Sequence, residues 1–444
     1  MSARRFSSMK PDLSSESLRL RAHELIPGGC HTYAKGDDQF PEGAPPFIVR
    51  GSGCHVWDAD GREFIEYGMG LRAVTLGHAF GPVIDAARCA LADGINFTRP
   101  APIEVDCAET FLRLVPSAEM VKFCKDGSHA VDGAVRLARA HTGRDMIAIC
   151  ADHPFFSTSD WFIGSTDMSA GIPESTRRQV VKFRYHDLPS LEALFREHPG
   201  KIACVVMEPA RTEEPRPGYL AEVKALAHAH GALLVFDEMI TGFRWHLRGA
   251  QHLYGVTPDL STFGKALANG FSVSALCGRR DIMRLGGSDH DRERVFLLST
   301  THGAETHELA AAIATMQFYE AHPVVETLHV RGARLRQGYA QAAARHRLTG
   351  YVDLVGRDCN LLFTTRDTDK KPSQPFRTLF MQEMIRGGVI APSFVVSYSH
   401  SEEDVDRTVE AADQAFAVYA RALSDGVEKF LQGRSVKPVF RKFA

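Results

Sequence analysis

The stretch "LLVFDEMITGFRW" (residues 233–245) runs through four apolar residues and then sets Asp237 and Glu238 side by side. A short all-apolar run bounded by charge marks a strand buried on both faces. In an open α/β sheet ligands lie beyond the carboxyl ends of such strands, which aims Asp237 at the expected site. Read alone, an Asp that ends a strand is as a rule a helix cap or half of an ion pair. The neighbouring Glu238 reads as a supporting residue facing a helix or an interface.

Outward from this stretch the pattern repeats. "MIAIC" (146–150), "IACVVME" (202–208), "VSAL" (273–276) and "VFLL" (295–298) are short, nearly all apolar, and separated by helical patterns. That alternation predicts an α/β fold, a large domain built on a mostly parallel sheet. "FIVRGSGCHVWDADGREFIEYG" (47–68) alternates apolar and polar residues about Asp58-Ala59-Asp60-Gly61, a hairpin signal. Residues 16–26, with Leu18, Leu20, Ala22, Leu25 and Ile26, predict a short amphipathic helix stopped by Pro27-Gly28-Gly29. After about residue 325 a long helical pattern leads to weaker strands near 351–364. A capping box, Ser401 with Asp404, then opens a helix with Val405, Val409, Ala412, Phe416 and Tyr419 on its apolar face. The expected division is an N-terminal segment 1–70, a large domain 71–325 and a smaller α+β domain 326–444 that the N-terminal segment joins.

The 444 residues carry a formal net charge of −2, which points to a small partner rather than a polyanion such as nucleic acid or an acidic membrane surface. The nine cysteines are an odd number with no Cys-x-x-Cys pair and no His at metal-ligand spacing, so no metal site is expected. They fit small buried hydrophobes in a reducing compartment. No stretch reaches the ~18–20 apolar residues that span a bilayer, and the first residues hold no apolar signal segment, so a cytoplasmic protein is expected.

Three further stretches bring reactive or anion-binding residues. In "PDLSTFGKALANGF" (258–271) Lys265 stands between Gly264 and a run of small residues. A lysine that forms an imine needs a partly desolvated pocket, which lowers its pKa and frees its amine as a nucleophile. In "VKFCKDGSHAVDGAVRLARAHTG" (121–143) Gly127 and Ser128 precede a helix whose apolar face is Val131, Ala134, Val135 and Ala138. Free N–H groups and the helix dipole there make an anion cradle suited to a phosphate. In "LLSTTHGAETHELAAAIATMQFY" (297–319) a strand runs into Thr300-Thr301 and an Ala-rich helix, and Thr301 offers a hydroxyl to the same phosphate or a neighbouring subunit's. Each stretch alone also reads as an exposed loop or an ordinary helix start; their order along the chain carries the weight.

In that order they resemble the class III (subgroup II) aminotransferases, fold type I pyridoxal 5′-phosphate enzymes, and within them the glutamate-1-semialdehyde 2,1-aminomutase branch. The resemblance runs from "IPGG" (26–29) through "LGHA" (76–79), "VRLARAHTGR" (135–144) and "FDEMITGFR" (236–244) to "PDLSTFGKALANGFSVSALCGRRDIM" (258–283). It implies that Lys265 holds the cofactor as an internal aldimine and then shuttles protons. It implies that Asp237 pairs with the pyridine nitrogen, which makes the ring an electron sink. Gly127, Ser128 and the partner subunit's Thr301 are implied to bind phosphate, Met239 to pack under the ring, and Glu208 in "MEPA" to stand at the next strand end. A homodimer with shared active sites is implied as well.

Departures from the family pattern fall on the substrate side. "DHPFFSTSDWF" (152–162) stands where the family has Tyr-His-Gly, so His153, Phe155 or Phe156 supplies the face that stacks on the ring. The aminomutase "SGTEA" is "DGSHA" here, and "PSFVVSYSH" (392–400) is shorter than the corresponding loop and lacks its acidic residue. Lys35 occupies the place of the aminomutase's carboxylate-binding arginine, and Gly70-Leu71-Arg72 the place of its Ser-x-Gly. An ammonium lacks the bidentate fork of a guanidinium, so carboxylate recognition is either rebuilt or dropped. Arg72 is one replacement, and a structural ion pair is its equal alternative.

The expected activity is pyridoxal-phosphate-dependent transfer of an amino group from a small-molecule donor to a carbonyl acceptor of the semialdehyde or keto-sugar type. Intramolecular transfer, as in the aminomutase, is the alternative. A nucleotide-binding oxidoreductase is a more distant one, and no Gly-x-Gly-x-x-Gly after an early strand supports it. A binding protein without activity would not need Lys265 and Asp237 together.

Overall fold

The computed structural model describes residues 14–153 and 155–443, so the reading of the first thirteen residues lies outside it. The helix expected near 16–26 spans Ser15–Leu25. β1 (Ile48–Ser52), β2 (His55–Asp58) and β3 (Glu63–Glu66) then pair antiparallel in succession. Asp58 holds the turn between the last two: its Oδ1 accepts from the N–H groups of Asp60 and Arg62 at 3.0 and 2.8 Å. A side chain that satisfies its own turn in this way is why Asp marks such turns in a sequence.

The large sheet is built from β4 (Met120–Cys124), β5 (Met146–Cys150), β6 (Val180–Phe183), β7 (Ile202–Met207), β8 (Leu233–Asp237), β9 (Leu260–Phe263) and β10 (Ser274–Gly278). Its spatial order is β4-β10-β9-β8-β7-β5-β6. β5 to β9 run parallel, and β10 alone is antiparallel to both its neighbours. Every residue of β7, β8 and β9 is buried. The period-two geometry of a strand explains this. Cys204, Val206 and Val235 face one core with the helix Gly127–Thr142, while Val205, Met207, Leu234 and Phe236 face a second core with the helix Tyr219–Ala229. Two apolar faces remove the alternation from β7 and β8, while β9 buries the hydroxyls of Ser261 and Thr262 between Leu260 and Phe263.

One expected strand is absent. Residues 295–298 form no strand: Val295 and Leu297 are buried, but Phe296 is 71% exposed and Leu298 has φ +50°. Leu297 instead packs over Gly286, where an added Cβ would lie 2.4 Å from it. The run satisfies its apolar groups by side-chain packing without joining the ladder, an outcome that apolarity alone does not separate from a strand. Thr300 and Thr301 accordingly follow irregular chain before the helix Thr306–Ala321.

Further on, β11 (Val352–Val355) pairs with β12 (Leu362–Thr365), and β13 (Val389–Ile390) adds parallel to β3. The capping box forms as read: Ser401 Oγ accepts from the Asp404 N–H at 3.0 Å, and Asp404 Oδ2 from the Ser401 N–H at 2.9 Å. It opens the helix Glu402–Asp425. Contacts divide the chain into two compact units, Met1–Met69 with Val330–Val439, and Gly70–His329 with Phe440–Ala444. All nine cysteines are free thiols, seven of them buried. Among the described residues no helix is long and apolar enough to cross a membrane.

Candidate active site

Four neighbouring parallel strands deliver polar residues at their carboxyl ends, all within the unit Gly70–His329. His153 comes three residues after β5, Glu208 directly after β7, Asp237 closes β8, and Lys265 comes two residues after β9. Asp237 is paired in register with Thr262, three residues before Lys265, which brings those two positions to adjoining strand ends. This is the place where the topology of an open α/β sheet puts a ligand.

Lys265 is half-buried and turns the chain with φ +45°, a left-handed conformation that a lysine adopts at a cost and that clusters at functional sites. Its neighbours hold it there. A Cβ on Gly264 would come within 2.5 Å of Ser274 Oγ and 2.6 Å of Met239 Sδ, so only glycine lets the strand end so close to them. The Tyr319 hydroxyl donates to the Ala266 carbonyl at 2.9 Å. Asn269 accepts from the Leu76 N–H at 2.8 Å and donates to the Gly77 carbonyl at 2.9 Å, which ties the loop after Lys265 to the "LGHA" stretch.

Asp237 is buried, and its Oδ1 accepts from the Met239 N–H at 2.9 Å. Burial raises its pKa to about 6, opposed by the charge of Lys265. Burial lowers the Lys265 amine, opposed by Asp237 and Glu208 and reinforced by Arg72 and Arg244. Each group thus makes the other's charge more tolerable, the pattern of an electrostatically tuned site. Glu208 is raised to about 7 by burial, against the field of Arg211, and its Oε2 is buried without a hydrogen-bond partner. His153, likewise buried, accepts at Nδ1 from the Glu208 N–H at 3.0 Å, which puts its proton on Nε2. Burial, with Arg211 adding to it, lowers its pKa to about 3. The imidazole is neutral across the physiological range.

The helix Gly127–Thr142 begins beside these groups. Asp126 caps it by accepting the His129 N–H at 3.0 Å, and Ser128 Oγ accepts from the Thr158 N–H at 3.1 Å, which leaves the Ser128 O–H to donate. A Cβ on Gly127 would lie 2.9 Å from Met239 Sδ, so Met239 is wedged between the helix start and Gly264. The following loop is clamped to the same helix by Asp132, which accepts from the Ser157 hydroxyl and Trp161 Nε1 at 2.7 Å each and also from Ser159 Oγ.

The other expected residues differ in their surroundings. Phe155 is 42% exposed and packs edge-on against Phe162, while Phe156 is in the core beneath. Thr301 is exposed, and its carbonyl accepts from Asn96 Nδ2 at 3.1 Å. Lys35 is exposed in the other unit, in the short turn Tyr33–Lys35. Arg72 ends a run of left-handed residues from Met69, and burial, with Arg244 and Arg211 adding to it, lowers its pKa to about 10. Sequence reading missed Arg244 and Arg211. Arg244 is fully buried and donates through Nη2 to the Arg72 carbonyl at 2.6 Å and Thr75 Oγ1 at 3.0 Å. Its position in "FDEMITGFR", seven residues past Asp237, was the available signal.

A lysine of lowered pKa beside a pinned carboxylate, with a helix start at hand, is a donor set that fits an aldehyde cofactor carrying a phosphate and a basic ring nitrogen. The family description "Aminotransferase class-III" matches residues 39–411. The chain belongs to the class-III aminotransferases. A curated relative, the glutamate-1-semialdehyde 2,1-aminomutase of Laribacter hongkongensis (strain HLHK9), is 33% identical over 430 residues, 91% of this chain and 99% of that one. The internal aldimine form of the FumI protein of Sphingopyxis sp. MTA144, with pyridoxal phosphate, is 32% identical, superposes with a TM-score of 0.83, and covers 94% of this chain and 98% of its own. An omega-transaminase of Sphaerobacter thermophilus is 25% identical, with a TM-score of 0.80 over 93% of this chain and 99% of its own. As a class-III aminotransferase the chain is an enzyme of amino-group transfer, and pyridoxal phosphate is that family's cofactor.

Proposed function

We propose that this class-III aminotransferase moves an amino group between two small molecules, with Lys265 and Asp237 as its catalytic pair. The observation that carries this is the meeting of the two at adjoining buried strand ends, each shifting the other's ionisation. Bound pyridoxal phosphate supplies an electron sink that stabilises negative charge developing at the amine-bearing carbon.

The chain's own residues divide the remaining work. Lys265 would hold the cofactor through Nζ, and its amine, whose pKa burial lowers, is the group that would take the proton from the substrate's amine-bearing carbon and hold it on Nζ for redelivery. Asp237, fixed by the Met239 N–H, would pair with the cofactor's ring nitrogen and favour that nitrogen's protonated form. The start of the helix at Gly127, with the Ser128 hydroxyl, would hold the phosphate. Met239, wedged between two glycines, would support the ring, and the buried, neutral His153 rather than the exposed Phe155 would supply the face that stacks on it. Exposed apolar residues such as Leu20, Leu25, Ile48 and Val49 support a homodimer, in which the partner subunit's Thr301 completes the phosphate site. The reading places the enzyme in the cytoplasm, in keeping with its free thiols.

Intermolecular transfer is the main reading because Lys35, "DGSHA" and the short "PSFVVSYSH" depart from the aminomutase at the substrate positions. The curated relative at 33% identity favours the second, intramolecular reading. Purified protein given pyridoxal phosphate is expected to show visible absorbance that bleaches toward the pyridoxamine form with an amine donor, and Lys265→Ala is expected to abolish both. A protein that takes up no cofactor overturns the proposal. Conversion of glutamate 1-semialdehyde with no added keto acid selects the aminomutase.

A further inference from the structure

One turn beyond Ser128, on the same face of the helix Gly127–Thr142, stands Asp132. It is half-buried, and among the described residues it forms no ion pair. Its carboxylate is spent on the loop that follows His153. Oδ1 accepts from the Ser157 hydroxyl and from Trp161 Nε1 at 2.7 Å each, and Oδ2 accepts from the Ser159 hydroxyl. The loop also closes on itself, the Ser159 N–H donating to Ser157 Oγ at 2.9 Å. Phe156 and Phe162, on either side of this clamp, are buried in the core that the helix shares with the sheet. Three struts and two anchored rings thus fix the residue between them, Thr158, which is itself exposed.

Thr158 connects the clamp to the helix start. Its N–H donates to Ser128 Oγ at 3.1 Å, and Ser128, only 9% exposed, has no acceptor for its own proton among the described residues. A hydroxyl holds one proton and two lone pairs, so a fixed donor on one lone pair turns the proton away from that side. A buried hydroxyl proton left without an acceptor marks where a ligand's oxygen is expected. Electrostatically an acid is the wrong choice for holding this loop. One turn from a phosphate site its negative charge repels the phosphate, and a neutral side chain would avoid the repulsion. The compensation lies in the hydrogen bonds: an ionised acceptor makes bonds roughly twice as strong as a neutral one, and Asp132 receives three.

We infer that Asp132 is a positioning residue for the cofactor's phosphate: by holding Ser157, Ser159 and Trp161 it seats the Thr158 N–H on Ser128 Oγ and leaves the Ser128 proton for a phosphate oxygen. This rests on the proposed amino-transfer reading, in which Ser128 holds the phosphate, and adds to it the residue that sets the Ser128 proton. Asp132 acts through Thr158 and Ser128, not by contact with the cofactor. The residues that stand in place of the family's Tyr-His-Gly thereby acquire a task, since they carry the struts that Asp132 holds.

The test titrates cofactor-free protein with pyridoxal phosphate and, in parallel, with pyridoxal, which has the same ring and aldehyde but no phosphate, following visible absorbance. Asp132→Ala is expected to weaken pyridoxal phosphate by roughly 10–100-fold, the loss of one hydrogen bond to a charged group, and to leave pyridoxal within about twofold of wild type. Binding of inorganic phosphate to the cofactor-free protein, followed by calorimetry, should weaken in parallel, a readout that needs no turnover. Asp132→Asn, whose Oδ1 can still accept from Ser157 and Trp161, should recover most of the loss. In a Ser128→Ala background Asp132→Ala should add nothing, because the hydroxyl through which it acts is gone. Ser159→Ala removes one strut and leaves the core intact; it should give the same phosphate-specific pattern at smaller size, and it decides the matter if Asp132→Ala does not fold. Tighter binding of pyridoxal phosphate by Asp132→Ala makes the charge a repulsive neighbour only and overturns the inference. So do equal losses for pyridoxal and pyridoxal phosphate, no loss for either, or losses that add in the double variant. Wild-type protein that binds pyridoxal phosphate no better than pyridoxal counts against a phosphate at Ser128, and protein that takes up neither counts against amino transfer itself, so the failures are told apart.

Discussion

Two clusters of polar side chains can be compared in this chain. In the unit that holds β2, His55 Nε2 lies 3.0 Å from Asp404 Oδ1, and Asp404 Oδ2 accepts from Ser401 Oγ at 2.7 Å, the Ser401 N–H at 2.9 Å and Cys54 Sγ at 3.4 Å. Cys, His and Asp together suggest a metal site, yet these atoms spend their bonding on one another and on a helix start. In the unit that holds β8, Asp237 has one backbone partner, Glu208 Oε2 has none, and Arg211 has none among the described residues. Buried polar groups in native proteins are nearly always satisfied, so those left over mark where a ligand is expected. The two carboxylates of "LLVFDEMITGFRW" repeat this contrast one residue apart. Glu238 is fully buried but saturated, accepting from Thr241 Oγ1 at 2.5 Å, the Ala250 N–H at 2.8 Å and the Gln251 N–H at 2.7 Å, and so it caps the short helix Ala250–Leu253.

If saturation separates structural from functional groups, mutants should sort accordingly. Asp237→Asn keeps the Met239 contact and removes the charge; it is expected to slow amino transfer by about a thousandfold or more without lowering the thermal midpoint of the apo protein. Glu238→Ala should do the reverse in kind, leaving three buried donors unpaired and costing about 3–5 kcal/mol in denaturant unfolding. An Asp237 variant that unfolds, or a Glu238 variant as stable as wild type, breaks the distinction.

Glu208 sharpens it through pH. Burial raises its pKa to about 7 from 4.5, so the folded state holds the proton more tightly than the unfolded one. Its contribution to stability is therefore present at low pH and is lost as pH rises from 4.5 through 7. Glu208→Gln removes that loss: the apo variant should match wild type near pH 4 and exceed it at pH 8 by about 3 kcal/mol. A variant no more stable at pH 8 than at pH 4, relative to wild type, would show that the carboxyl is satisfied after all. The smallest effect is expected from Asp404→Ala, about 1–2 kcal/mol from the lost cap, with the absorbance of the bound cofactor unchanged.

Much of this was legible in the residues. The nearly all-apolar strands at 146–150, 202–208, 233–237 and 273–276 were visible because burial on both faces leaves few polar positions. β4 and β6 were harder: Lys122 and Lys182 are exposed and interrupt the run, and edge or near-edge strands need less apolarity. The false strand at 295–298 shows that side-chain burial and ladder pairing are separate requirements. At the site, Asp237 could be read from the end of an apolar strand, whereas His153 and Glu208 came only with the resemblance, and Lys265 was singled out by its glycine and small-residue neighbours before the resemblance gave it a role. Arg211 could not, since an irregular loop has no period from which to read where a side chain goes. Lys35 rests on the resemblance alone, and Thr301 on its place before the Ala-rich helix together with that resemblance.

The discontinuous unit has a kinetic consequence. β3 pairs with β13 through Ile65 and Val389, more than 300 residues later in the chain. At ordinary translation rates of about 5–20 residues per second, the outer edge of β3 waits some ~15–65 s for that partner to be made. The intervening unit, contiguous from Gly70 to His329, can fold during the wait. Nascent chains therefore carry an unpaired strand edge for most of their synthesis, the kind of surface that other copies on the same messenger can template upon. Expression yield should thus respond to elongation speed and chaperone supply more than the finished protein's stability suggests.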